Sequence, residues 1–164
     1  MRSSCVRVLA GLLFLITIAQ AATAATWKVY ANARYGTVAE YPSDRFRPGR
    51  PPDNGDGQSF TALDGSMLAI FAGNNIDNYA PATYERFLRG GGSDYQNVTY
   101  RAAGEKWLVL SGFRGDSIYY EKYIFSEGKD VDTIHGLVVT YPRSSKDVYG
   151  PIVSRMAQSL RAGR

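Results

Sequence analysis

KWLVLSGFRGDSIYYEKYIF, from Lys106 to Phe125, reads as two strands, Trp107–Phe113 and Ile118–Phe125, joined by a tight turn at Gly115-Asp116. Glycine adopts positive φ without steric cost and aspartate tolerates turn geometry, so the middle of the stretch suits a two-residue hairpin loop. Such a loop sets Phe113 opposite Ile118, Ser111 opposite Tyr120 and Trp107 opposite Ile124. Trp107, Val109, Phe113, Ile118, Tyr120 and Ile124 then share one face, and Leu108, Leu110, Tyr119, Tyr123 and Phe125 share the other. Both faces are largely apolar, and each needs a covering layer. The hairpin therefore belongs in the middle of a sheet.

Working outward, Trp27–Ala31 and Gly36–Tyr41 read as short strands, the second stopped by Pro42, which has no N–H to give a ladder. Residues 42–58, PSDRFRPGRPPDNGDGQ, hold four prolines and three glycines and read as one long irregular loop. Ser59–Leu63 and Met67–Gly73 form a hairpin across Asp64-Gly65. A helix follows at Pro81–Arg89, with Pro81 in its first turn, Tyr84, Phe87 and Leu88 on one face, and Gly90 at its stop. The link Gly90-Gly91-Gly92 leads to a strand at Tyr95–Ala102. Beyond the central hairpin come a strand at Thr133–Tyr141 and an amphipathic helix at Ser145–Arg161, which either starts properly at Pro151 or starts at about Lys146 and kinks at that proline.

This order of elements predicts an α+β fold, an antiparallel β-sheet covered by helices, in a single domain spanning residues 26–164. Four short motifs carry a resemblance to a known family. They are Glu40-Tyr41-Pro42-Ser43-Asp44 at a strand end, the mid-chain helix Thr83–Arg89, Ser111-Gly112-Phe113-Arg114-Gly115 in a hairpin, and Ser159-Leu160-Arg161 at the close. With them the chain resembles the Mog1/PsbP-like α/β sandwich family. The resemblance implies a mostly non-catalytic accessory or partner-binding module.

Residues 1–25 read as a signal peptide. Arg2 and Arg7 precede the apolar run Val8–Ile18, and Ala19-Gln20-Ala21 and Ala22-Thr23-Ala24 offer small-residue cleavage steps. The run is shorter than the ~20 residues a membrane span needs. Cleavage between Ala21 and Thr26 would remove Cys5, the only cysteine, leaving no disulfide or thiolate chemistry in the mature chain. It would also lower the formal charge from +4 to +2. So small a balance gives no case for nucleic acid or an acidic membrane surface. A mature chain of roughly 140 residues is long enough to hold together by its core.

No motif names a reaction. His135, the only histidine, reads as a half-buried strand residue with one hydrogen-bond partner; the competing roles are general base or metal ligand. No GxSxG string occurs; Gly57-Gln58-Ser59-Phe60-Thr61 comes nearest. Asp53-Asn54-Gly55-Asp56-Gly57 fits no register of a calcium loop and reads as turn chemistry. Neither cofactor nor metal is expected. Arg45, Arg47 and Arg50 lie close together on the long loop, where guanidinium groups could meet a carboxylate or phosphate, or pair with Asp44, Asp53 and Asp56. Most of the twelve tyrosines alternate on strands and read as core and sheet-face residues.

The functional expectation is an exported, periplasmic or secreted, non-catalytic accessory module. Its contact surface is loop 42–58, with Arg45, Arg47, Arg50, Asp53 and Asp56 meeting an envelope protein partner or a small anionic ligand. The alternatives are a small hydrolase using His135, and a carrier of a small apolar ligand between the sheet and the C-terminal helix.

Overall fold

The computed structural model describes residues 25–91, 95 and 97–163. The expected leader with Cys5, and Gly92 of the glycine link, lie outside the described residues. Among the described residues, ten strands and two α-helices follow one another: β1 (Trp27–Ala31), β2 (Thr37–Pro42), β3 (Arg47–Pro48), β4 (Gly57–Thr61), β5 (Met67–Asn74), α1 (Pro81–Gly90), β6 (Val98–Gly104), β7 (Trp107–Arg114), β8 (Ser117–Ser126), β9 (Thr133–Pro142), α2 (Lys146–Ser159) and β10 (Arg161–Ala162). A seven-stranded sheet runs β3-β4-β5-β9-β8-β7-β6, and a three-stranded sheet runs β1-β2-β10. Each neighbouring pair in both is antiparallel.

The central hairpin has the register its turn dictates. Arg114 pairs with Ser117 across Gly115-Asp116, Phe113 with Ile118, Ser111 with Tyr120 and Trp107 with Ile124. Gly115 takes φ of +57°, the conformation for which glycine is needed there. Both faces are covered. On one, Ile118, Leu137 and Val139 pack beneath α2 and the small sheet, against Ala39, Tyr41, Tyr149, Val153 and Met156. On the other, Leu108, Leu110, Tyr119, Tyr123 and Phe125 form a second core, capped by Tyr84 and Leu88 of α1. Tyr84 meets Tyr123 and Phe125 edge-on, with centroids 5.1 and 5.6 Å apart. Each such apolar side chain contributes about 1.5–3 kcal/mol on full burial, so two independent cores hold the sheet from both sides. Among the described residues no helix is long and apolar enough to cross a membrane.

Three expectations are corrected. The loop 42–58 is not wholly irregular, because Phe46 is 0% exposed and Arg47–Pro48 pairs with Phe60 and Thr61. Proline is tolerated there because β3 is an edge strand. α2 starts at Lys146 and holds Pro151 within it, which excludes a start at that proline; it runs on from a 3₁₀ turn at Arg143–Ser145. Tyr149 anchors the turn before the proline: its ring stacks on Tyr141 at 4.9 Å and its hydroxyl donates to the Asp64 carboxylate at 2.8 Å. Those contacts outweigh the one backbone bond that Pro151 removes. Finally, the chain leaves α2 at Ser159, and Arg161-Ala162 pair with Val38 and Thr37, which ties the C-terminal end to β2.

Candidate functional site

The residues expected to form a site on loop 42–58 are spread along it. Arg45 turns back over the Tyr149 ring, its guanidinium carbon 5.3 Å from the centroid. Beside it Asp64 lies below its usual carboxylate range; burial acts to raise it, but donation from Ser66 and Tyr149, with the charge of Arg45, outweighs that. Arg47 is exposed on β3. Arg50 and Asp53 form an exposed pair at 3.4 Å, and Asn54 donates to Asp56 at 2.7 Å. Gly55 takes φ of +65° and its N–H bonds the Pro52 carbonyl, the turn chemistry that the Asp/Asn/Gly composition foretold.

His135 is 1% exposed, more deeply buried than its strand pattern suggested, and has two partners rather than one. Its Nδ1 lies 2.8 Å from the Thr37 hydroxyl and its Nε2 2.8 Å from the Ser126 hydroxyl. A neutral imidazole has one donor and one acceptor nitrogen, and hydroxyls can complement either. Burial lowers the pKa of the ring.

Period-two alternation places one charge in the middle of each face of β8, and neither was singled out from the sequence. On the α1 face, Glu121 is 2% exposed between Tyr119 and Tyr123. Arg114 donates to its Oε1 at 2.8 Å, and the hydroxyls of Tyr95 and Tyr123 donate to its Oε2 at 2.8 Å each. Arg114 also lies over the rings of Tyr119 and Tyr95. Burial and the Glu121 charge together raise the tyrosines around it, Tyr84 to about 12. This carboxylate is fully compensated.

On the opposite face stands Lys122, directly across from Val109 of β7, with Ala102 of β6 next in the row. Burial lowers its pKa. Its Nζ donates to the Ala157 carbonyl in the last turn of α2 at 2.6 Å. A cation is at home at a helix C-terminus, where carbonyls lack intrahelical partners. No carboxylate pairs with Lys122 among the described residues.

Lys122 lines a groove of about 500 Å³ between β6–β8 and the C-terminal half of α2. On the sheet, Ala102, Val109 and Lys122 form a central row flanked by Tyr100 and Tyr120 on one side and by Trp107 and Ile124 on the other, and Ser154, Ala157 and Gln158 of α2 complete the lining. Tyr100 is 55% and Trp107 38% exposed. Trp107 is seated by Gly104, its cross-strand partner: a Cβ at Gly104 would fall within the indole. Lys106 closes one end, held by Glu127 at 2.7 Å. This volume lies within the usual range of small-molecule sites, ~300–1,000 Å³.

No protein-family model matches the sequence, and no curated protein matches it. The architecture does have solved counterparts. Cyanobacterial PsbP (CyanoP) from Synechocystis sp. PCC 6803 superposes with a TM-score of 0.61 over 90% of this chain and 98% of that one, at 12% identity. This chain has a PsbP/Mog1-like fold. LpqN, involved in cell envelope biogenesis of Mycobacterium tuberculosis, is a weaker likeness, with a TM-score of 0.41 and 11% identity over 84% of this chain and 79% of that one. In the PsbP-like frame of this chain the long loop, the buried histidine and the aromatic groove lie on different elements, so each has to be judged by its own chemistry.

Proposed function

We propose that this protein is an exported, periplasmic or secreted, non-catalytic binding module whose contact surface is the groove between β6–β8 and α2. Export rests on the run Val8–Ile18 and the Ala-x-Ala steps after it. The observation that carries the binding reading is the open, concave placement of Tyr100 and Trp107 over an apolar floor. Aromatic rings held at the edge of a cleft offer large contact area at small entropic cost. The buried titratable groups His135 and Glu121 are engaged within the fold, His135 by two hydroxyls and Glu121 by an arginine and two tyrosines.

The test is native purification of the protein from the cell envelope of its own host, with mass spectrometry of whatever remains bound. Wild-type protein carries a bound species that a Tyr100→Ala/Trp107→Ala variant of unchanged thermal midpoint loses. Retention of the same species by the double variant would reject the groove.

A second reading keeps loop 42–58 as a docking surface for an envelope partner or a small anionic ligand. It is favoured by the burial of Phe46, which fixes the chain between Arg45 and Arg47 and makes that part of the loop a rigid platform.

A further inference from the structure

The two faces of β8 treat their central charges differently. Glu121 is neutralised by Arg114 and by two tyrosine hydroxyls. Lys122, half-buried on the other face, has among the described residues a single carbonyl as its polar partner. An ammonium has three donors, and one is directed at Ala157. Placing a cation on an apolar sheet face without a counter-charge is unfavourable unless something else offsets it. Structurally the lysine caps α2, which accounts for one bond but not for the open apolar groove beside the charge.

We infer that the groove binds a small amphipathic anion, with its carboxylate or phosphate head on Lys122 and its apolar body against Val109, Tyr120 and Trp107. This inference rests on the groove being the contact surface, as proposed above. The chemistry is complementary at both ends. The head meets an ammonium that has no carboxylate partner among the described residues and that lines the groove together with Ser154 and Gln158 of α2. The body covers the exposed rings of Tyr100 and Trp107 and the half-buried side chains of Ala102, Tyr120 and Ile124. Lys106 does not compete for the head group, because Glu127 already holds it. An extended acidic peptide is a poorer match, since the groove offers one uncompensated cation rather than a row of them.

Titration calorimetry of the protein expressed from its full-length sequence in its own host, with dodecanoate and dodecanol as probes, tests the inference. Dodecanoate binds saturably and shifts the Trp107 indole N–H resonance. Lys122→Met retains the apolar stem but weakens dodecanoate by about tenfold or more, the scale of one charge-assisted hydrogen bond; dodecanol is unaffected. If Lys122→Met fails to fold for want of its contact with α2, Lys122→Arg keeps dodecanoate binding, and Ala102→Glu weakens dodecanoate more than dodecanol. Equal losses for the two probes, no saturable dodecanoate binding, or tighter binding of a hexaglutamate peptide would overturn it. If dodecanoate fails while the envelope species is still lost from the Tyr100→Ala/Trp107→Ala variant, the anion is wrong and the groove stands. Failure of both rejects the groove as well.

Discussion

The Thr37 hydroxyl and Nδ1 of His135 lie 2.8 Å apart and link the small sheet to the large one. With the Ser126 hydroxyl on Nε2, the bond holds the ring between β2, β8 and β9. This makes His135 a packing and hydrogen-bonding residue. His135→Gln keeps a donor and an acceptor but shortens the reach, and should cost about 1–2 kcal/mol, the scale of a buried hydrogen bond. Binding should be unchanged. Loss of binding with an unaltered thermal midpoint would contradict this assignment.

The same residue gives a pH prediction. Its pKa is lowered on folding by burial, so the unfolded chain binds the proton more readily than the native one. Stability from this source is complete above the unfolded value of about 6.5 and declines as pH falls below it. The thermal midpoint should fall between pH 7.5 and 5.5, and less steeply in His135→Gln. Identical slopes in the two proteins would show that other groups govern acid sensitivity.

Arg114→Met should leave the Glu121 carboxylate buried without its cation. Breaking a buried pair from one side costs about 3–5 kcal/mol, and exchanging both partners for apolar residues often recovers most of it. Urea unfolding of Arg114→Met, Glu121→Leu and the double variant checks this. A double variant as unstable as the sum of the single ones would mean that the pair is not coupled.

Replacing Arg47 and Arg50 with Ser should change stability by no more than about 0.5 kcal/mol each, as for ordinary surface sites. Arg45→Ser should cost more, because Arg45 contacts the Tyr149 ring and acts on Asp64. If the triple variant keeps its fold yet loses an envelope partner in a salt-sensitive manner, the loop reading gains over the groove.

Much of the frame is legible in the sequence because the Gly115-Asp116 turn leaves one register for the hairpin, and that register assigns every side chain of β7 and β8 to a face. What escaped has physical causes. Phe46 lies in a proline-rich stretch whose composition conceals a fully buried anchor. Pro151 suggests a helix start, but the decisive contact, Tyr149 on Asp64, spans distant segments. The groove draws Tyr100, Trp107, Tyr120 and Ser154 from four separate elements, so no local motif marks it. Lys122 was visible in principle: alternation from Ile118 through Ile124 puts a charge on an apolar face, and that mismatch was the available signal.

Gly104→Val should displace the Trp107 indole that covers it. The expected result is a change in the Trp107 indole N–H resonance and weaker binding in the groove, with the rest of the spectrum preserved. An unmoved resonance would mean that the indole does not depend on Gly104 for its position.

The most direct measurement is a map of amide chemical-shift changes in the ¹⁵N-labelled protein on addition of an extract of its own cell envelope. A groove contact predicts changes concentrated at Ala102, Val109, Lys122, Ser154 and Gln158, with little change from Arg45 to Asp56. Changes confined to Arg45–Asp56, with the groove silent, would contradict it.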